Sequence, residues 1–248
     1  RQVRKVLADH KVQVVLHAAA YKHVPLVEAN PLPGLANNVF GTQTLAREAA
    51  EVGVERFILV SSDKAVRPTN VMGASKRLAE LVVQDLATRH TGTIFTMVRF
   101  GNVLGSSGSV VPLFQEQISR GGPVTVTDPR VKRFFMTIRE AVQLVLKAGS
   151  AAKGGEVFVL DMGKPMPIMQ LARQVIESAG YTVRDAATPD GDIEIEIIGL
   201  RPGEKLEEEL TLTDDLIGTR YQKIFCAREG ELSEIEVAAL LRSLRQAG

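Results

Sequence analysis

Hydrophobic residues in the first part of the chain alternate between short continuous runs and longer helical patterns. Short apolar runs predict strands at residues 12–18, 55–60 and 93–100. Apolar residues at helical spacing predict helices at the opening residues and at 33–52 and 71–89. Strands that alternate with helices of this length are typical of a parallel, doubly wound α/β sheet.

The pattern changes after Pro112, where the predicted elements are shorter. These are helices at 113–120, 139–149 and 168–179, and extended pieces at 123–127, 133–137, 156–160 and 193–198. Ser233, with Glu236 three residues later, predicts the capped start of a final helix. We expect residues 1–111, joined by 138–162, to form one domain. Residues 112–248 are expected to form mainly a smaller second lobe and a C-terminal helix.

Polar groups are concentrated where the strand at 55–60 gives way to the helix at 71–89. Ser61, Ser62, Asp63 and Lys64 follow the strand directly. Met72 and Lys76 lie four apart near the start of the helix and therefore share one of its faces. Such a junction lies at the carboxyl edge of a parallel sheet, where open α/β folds bind their ligands.

Composition and residue types limit the kinds of ligand, partner and surroundings that the chain is expected to have. The net charge of +1 gives no electrostatic basis for binding nucleic acid. The single cysteine, Cys226, excludes an internal disulfide framework and fits a reducing, cytoplasmic location. His17 and His23 have no carboxylate at ligand spacing, so no metal site is expected. No run of eighteen apolar residues occurs, so no membrane contact is expected from these residues.

Four blocks carry further information, at residues 17–25, 61–77, 100–106 and 201–205. Together they resemble the extended short-chain dehydrogenase/reductase family. Within it they are similar to the UDP-N-acetylglucosamine 4,6-dehydratase group of polysaccharide biosynthesis. The resemblance implies a Rossmann-like sheet with a smaller substrate-binding lobe, NAD or NADP as cofactor, a UDP-sugar substrate and a homo-oligomer.

The resemblance also implies roles for the residues between Ser61 and Lys76. Lys76 would bind the nicotinamide ribose, Asp63 would act as the acid at C6, and Lys64 would act as the base at C5. Met72 occupies the position of the family tyrosine, and a thioether cannot accept a proton, so Met72 is expected to be non-chemical. Asp63, Lys76 or Ser62 through water would then take the C4 hydroxyl proton. The simpler interpretation of Asp63 and Lys64 is a salt bridge within a loop.

Binding residues are implied in the same way. The cofactor set is Ala18, Ala19, Ala20, Asn38, Ser61, Lys76, Phe100, Asn102 and Val103. The substrate set is Lys22, Asn102, Arg133, Arg201 and Glu204. Lys22 could instead be a solvated loop charge and Asn38 a polar residue at a helix start.

The leading hypothesis is a 4,6-dehydratase of UDP-N-acetylglucosamine, and two alternatives remain. The first is a UDP-sugar 4-epimerase, which the absence of the tyrosine disfavours. The second is a non-catalytic nucleotide-sugar-binding module. The chain begins in a helical pattern and contains no glycine-rich GxxGxxG turn. We therefore expect a sheet without its first βαβ unit, inactive alone, from a longer protein. Met72 resembles the long, membrane-tethered branch of these dehydratases, which implies that the longer protein is tethered to the inner membrane.

Overall fold

The computed structural model describes residues 2–212, 215–230 and 232–246. The helices are α1 (Gln2–Asp9), α2 (Val24–Ala29), α3 (Pro31–Leu35), α4 (Thr42–Glu51), α5 (Val71–Arg89), α6 (Val110–Ser119), α7 (Ile138–Ala151), α8 (Ile168–Ser178) and α9 (Glu234–Gln246). The strands are β1 (Val14–His17), β2 (Arg56–Val60), β3 (Ile94–Arg99), β4 (Asn102–Val103), β5 (Val124–Val126), β6 (Lys132–Arg133), β7 (Phe135–Met136), β8 (Val157–Leu160), β9 (Met166–Pro167), β10 (Val183–Arg184), β11 (Ile193–Ile197), β12 (Leu216–Gly218) and β13 (Ile224–Ala227).

Unit 1 comprises residues up to Phe100, Val142–Asp161 and the chain from Glu209 onward. Its sheet has the strand order β1-β2-β3-β8-β13-β12. The first four strands are parallel neighbours, whereas β13 runs antiparallel to β8 and β12 antiparallel to β13. The predicted α/β class with a mainly parallel sheet is confirmed.

Both faces of this sheet are covered, since consecutive residues of β2, β3 and β8 are buried and successive side chains of a strand point to opposite faces. Phe57 and Phe95 contribute to the core on the side of α4 and α5. Ile58 faces the other way, against Gly149 of α7. A Cβ atom on Gly149 would lie 2.8 Å from Cγ1 of Ile58, so only glycine allows this close approach.

The helix that follows β2 has the predicted bounds. Asn70 precedes it, and its side chain accepts a hydrogen bond from the backbone N–H of Gly73 at 2.8 Å, which caps the helix N-terminus. The helix predicted at 33–52 is instead divided. A π-helical turn at Ala36–Gly41 separates α3 from α4. This turn positions the buried side chain of Asn38.

Unit 2 comprises Gly101–Ala141 and Met162–Glu208. Its three-stranded sheet has the order β10-β11-β5, with all neighbours parallel. Unit 2 also contains two short two-stranded sheets, β4 with β7 and β6 with β9. Helices α6 and α8 cover a core that includes Phe114, Val124 and Ile176.

Residues after Glu208 differ from the expected domain division. The sequence placed 112–248 mainly in the smaller lobe, but the chain from Glu209 onward belongs to unit 1. The reason is that β13 pairs with β8 and so extends the main sheet. Residues 1, 213–214, 231 and 247–248 lie outside the described residues. Within the described part of the chain, every helix is too short or too polar to cross a membrane.

Candidate active site

The loop after β2 brings together the polar residues that the sequence singled out. The hydroxyl of Ser62 donates to Oδ1 of Asp63 at 2.7 Å, and Nζ of Lys64 donates to the same oxygen at 2.9 Å. The backbone N–H of Asp63 donates to the carbonyl of Phe100 at 3.1 Å. This last bond joins the chain after β2 to the chain after β3.

Asp63 is fully buried, whereas Ser62 and Lys64 are partly exposed. Its second carboxyl oxygen, Oδ2, is buried with no hydrogen-bond partner among the described residues. A buried carboxyl oxygen without a partner is energetically costly. Such an atom is typical of a site that a ligand or a proton completes.

Lys76 is held at the same end of the sheet. It is buried, and its Nζ donates to the carbonyl of Val60 at 2.8 Å. Burial lowers the pKa of Lys76 to about 8, and the negative charge of Glu80 one turn further along α5 opposes this effect. The hydroxyl of neighbouring Ser61 is buried without a partner among the described residues. Lys76 and Ser61 therefore have hydrogen-bonding capacity that suits the hydroxyl groups of a ribose.

Asn38 is buried, and its hydrogen bonds are made within the protein. Its amide nitrogen donates to the carbonyl of Tyr21 at 3.0 Å and to the hydroxyl of Ser75 at 2.9 Å. Its oxygen accepts from the backbone of Tyr21 at 2.7 Å and from Asn37 at 3.1 Å. These contacts use both amide hydrogens and both oxygen lone pairs. Asn38 can therefore act on a cofactor only through the groups that it holds.

Ser75 received no role from the sequence, yet it links Asn38 to the start of α5. It accepts the hydrogen bond from Asn38, and its own hydroxyl donates to the carbonyl of Met72 at 2.6 Å. The sequence feature that could have drawn attention to Ser75 is its position between Met72 and Lys76 in the motif. Met72 itself is buried, with 3% of its surface exposed.

His17 lies at the end of β1 and is buried beside Thr42. The Thr42 hydroxyl donates to the carbonyl of Asn38 at 2.7 Å, so its one hydrogen is already used. Nε2 of His17, 2.8 Å from the Thr42 oxygen, must therefore be the donor in this pair. Burial, with a smaller effect from the positive charge of Lys76, lowers the pKa of His17 to about 4.

Gly73 determines how closely α5 approaches the loop after β2. A Cβ atom at this position would lie 2.3 Å from the carbonyl oxygen of Lys64. Any residue other than glycine would thus displace either the helix or the backbone that carries Lys64.

The remaining candidates of unit 1 follow its strands. Ala18 and Ala19 are exposed and Ala20 is partly exposed, directly after β1. Lys22 is exposed two residues further on, and Phe100 is partly exposed after β3.

Unit 2 brings Arg133 and Glu204 together. Arg133 is buried and donates to the carbonyls of Lys132, Lys205 and Leu206 and to Oε1 of Glu204 at 3.3 Å. These bonds leave Arg133 little free capacity, so its main contribution is to hold the segment around Glu204. Arg201 is exposed, and its backbone N–H donates to Glu204 at 3.3 Å. Asn102 and Val103 are partly exposed in β4 of the same unit.

A mainly parallel sheet with polar residues after its strands defines a Rossmann-type α/β protein. Comparison with known families identifies it further. The chain belongs to the polysaccharide biosynthesis protein family, whose model matches residues 1–229. The expected family is thus confirmed.

Three relatives illustrate the range of the family. The capsular polysaccharide biosynthesis protein CapD of Staphylococcus aureus is 49% identical over 98% of this chain, which spans 40% of that protein. A UDP-N-acetylglucosamine 4,6-dehydratase (inverting) of Campylobacter jejuni is 35% identical over 86% of the chain and 60% of that protein. A UDP-glucose 4-epimerase of Rickettsia rickettsii is 37% identical over 84% of the chain and 59% of that protein.

Solved structures share the fold. Pen from Bacillus thuringiensis is 34% identical, with a TM-score of 0.80 over 97% of this chain and 78% of that one. DesIV, a dTDP-glucose 4,6-dehydratase of Streptomyces venezuelae solved with NAD, is 22% identical, with a TM-score of 0.75 over 98% of this chain and 75% of that one. The second likeness concerns the fold alone.

Proposed function

We propose that the protein is a nucleotide-sugar 4,6-dehydratase that converts UDP-N-acetylglucosamine to a UDP-4-keto-6-deoxy sugar for surface polysaccharide biosynthesis. The observation that carries this proposal is the Asp63–Lys64 ion pair, which lies at the end of β2, the strand whose last carbonyl binds Lys76. Dehydration requires one acid and one base in addition to the oxidation chemistry. An epimerase requires no such pair.

NAD or NADP would be held on the side of Lys76 and Ser61. Within the described part of the chain Lys76 uses one of its three donors and the hydroxyl of Ser61 has no partner, so both suit a ribose. Asn38 and Ser75 fix the helix that carries Lys76. When bound, the cofactor would accept a hydride from C4 of the sugar and return it at C6. Met72 would pack beside it without taking part in proton transfer.

The ion pair itself supplies the two protonation states that dehydration needs. If the proton of Lys64 moves to Asp63 along their 2.9 Å hydrogen bond, a neutral amine and a neutral carboxylic acid result. The amine of Lys64 then accepts the C5 proton, and the acid of Asp63 protonates the departing C6 oxygen, which leaves as water. The pair is then ionised again, and Lys64 returns its proton to C5 as the hydride is delivered to C6. The proton that the C4 hydroxyl loses on oxidation, taken up by Lys76 or by Ser62 through water, replaces it on Lys64.

Asp63 is fully buried, so we propose that its proton reaches the C6 oxygen of the sugar through Ser62. The Ser62 hydroxyl contacts Oδ1 of Asp63 and is partly exposed. It can pass a proton from Asp63 to the C6 oxygen without movement of the loop. In unit 2, Arg201 and Glu204 are proposed to bind the UDP group, with Arg133 holding their segment in place.

Mass spectrometry of UDP-N-acetylglucosamine incubated with the protein at its full natural length tests the proposal. A product lighter by one water, formed without a stoichiometric supply of reductant, is expected. An unchanged mass with an altered sugar would instead establish a 4-epimerase, the second candidate, which the similarity to the Rickettsia relative favours. Binding without any conversion would contradict both activities.

A further inference from the structure

The segment Glu209–Leu212, which we call the strap, is the part of unit 1 that directly follows Glu208, the last residue of unit 2. Leu210 packs against the main hydrophobic core of unit 1. The backbone N–H of Leu212 donates to Oε1 of Glu229 at 3.3 Å. The strap is therefore attached to the body of unit 1 at two positions.

Glu229 is in turn fixed by a buried network of two arginines and two glutamates. Arg99, which is fully buried, donates to both carboxyl oxygens of Glu229 and to both carboxyl oxygens of Glu80. Arg77 donates to Glu80 at 2.9 Å and to Glu229 at 3.1 Å. The two positive and two negative charges balance. Hydrogen bonds between these side chains replace the hydrogen bonds to water that are lost on burial. Because Arg77 and Glu80 belong to α5, the strap is anchored to the helix that carries Lys76.

Arg67 joins the strap to the loop after β2. Its guanidinium pairs with the carboxylate of Glu209 and donates to the carbonyl of Leu212 at 2.6 Å. Arg67 lies three residues after Lys64 and has a backbone φ of 41°, in the region that favours glycine. The two bonds of the Arg67 side chain and the positive φ of its backbone indicate that contacts with neighbouring residues hold Arg67 in this conformation.

We propose that the strap, through Arg67, holds the loop that carries Asp63 and Lys64, so that Arg67 is a positioning residue for the dehydration. The inference rests on the proposed function. An exposed ion pair adds little to folding stability. In contrast, a displacement of about 1 Å in a catalytic group can lower the rate by ~10²-fold. Loss of Arg67 should therefore affect turnover much more than folding.

Substitution of Arg67 in the full-length protein tests this prediction. We choose Arg67→Asn because asparagine tolerates a positive φ and cannot reach the strap. We expect kcat to fall by about 10- to 100-fold, while KM for the UDP-sugar and the melting temperature change little. Arg4→Ala is the matched control, since the side chain of Arg4 is 52% exposed, against 57% for Arg67, and also pairs with a glutamate, Glu48. A kcat in Arg67→Asn equal to that of the control would overturn the inference.

Charge reversal provides a stricter test of the Arg67–Glu209 pair. Arg67→Glu and Glu209→Arg should each lower kcat, and the double variant should recover part of it, because it restores the ion pair but not the hydrogen bond to the carbonyl of Leu212. If the pair only stabilised the fold, the melting temperature would fall and recover together with kcat, whereas we expect it to change little in all three variants. Failure of the double variant to recover, with all three proteins folded, would contradict the proposed contact.

Hydrogen exchange separates this inference from the proposed function. The amides of Lys64, Ala65 and Val66 are bonded to Ser62 Oγ, Ser62 O and Asp63 O. Their exchange should be about fivefold faster, or more, in Arg67→Asn than in wild type or Arg4→Ala. If wild type produces no dehydrated sugar, the proposed function is wrong, but the exchange rates still test the strap. Unchanged exchange in Arg67→Asn would show that the strap does not hold the loop.

Discussion

Nζ of Lys76 donates a hydrogen bond to the carbonyl oxygen of Val60 at 2.8 Å. This bond connects the first turns of α5 to the last residue of β2, immediately before Ser61 and Ser62. The side chain expected to bind a cofactor is therefore positioned by the strand that leads to the Asp63–Lys64 pair. This relationship brings Lys76 and the Asp63–Lys64 ion pair to one edge of the sheet.

Lys64→Ala and Asp63→Asn should each lower kcat by ~10²–10⁴-fold, because each removes a proposed acid or base. Binding of the UDP-sugar should change much less. Arg201→Ala provides the contrast, since it should weaken UDP binding and alter kcat little. Steady-state kinetics and calorimetry with UDP measure both effects. Near-normal turnover in Lys64→Ala would mean that another group removes the C5 proton.

Met72→Leu should leave most of the activity, because the two side chains have similar volumes and neither transfers protons. Met72→Tyr is expected to be tolerated and to shift the pH profile of kcat, since it places a phenol on the face of α5 that carries Lys76. Activity assays across a pH range compare the three proteins. A loss in Met72→Leu as large as that in Lys64→Ala would show that the thioether has a direct role.

His17 should make folding stability depend on pH. Its pKa is lowered to about 4 in the folded protein, against 6.5 as its ordinary value, so the unfolded chain binds more protons between these values. The free energy of unfolding from this group should therefore fall by about 2 kcal/mol from pH 7 to pH 5. Denaturant titrations of wild type and His17→Gln isolate the effect, because other titrating groups cancel. An equal pH dependence in both proteins would contradict it.

Arg99→Met should destabilise unit 1 by about 3–5 kcal/mol, since it leaves Glu80 and Glu229 buried without their main partner. Arg120→Met is the control, because Arg120 forms an exposed ion pair with Glu116 and little change is expected there. Denaturant unfolding at constant pH measures both variants. Equal stability of the two would mean that Arg77 alone satisfies the network.

Local elements of this protein could be predicted from its sequence. The bounds of α5 were predicted as observed, because its apolar residues recur at helical spacing. The Asn70 cap, which that prediction did not use, is a further local signal. The box formed by Ser233 and Glu236 is also present, with the Ser233 N–H 2.8 Å from the Glu236 carboxylate. Ser62, Asp63 and Lys64 are adjacent in the chain, so their proximity required no tertiary information.

Contacts between distant residues could not be predicted in the same way. The antiparallel strand Ile224–Ala227 was missed, and its pairing with β8 transfers the C-terminal region to unit 1. Arg99 and Glu229 are 130 positions apart, and Asn38 and Ser75 are 37 apart. Nothing in the spacing of such residues indicates that they meet.

The sequence by itself therefore determined the fold class, the family and the residues that surround the start of α5, because periodicity and adjacent motifs depend on local geometry. Only the tertiary structure decided that Asp63 is fully buried, that Asn38 is hydrogen-bonded to Ser75, and that Arg67 contacts the strap. Burial and hydrogen bonding depend on which distant groups share one volume, and packing determines that only when the whole chain has folded.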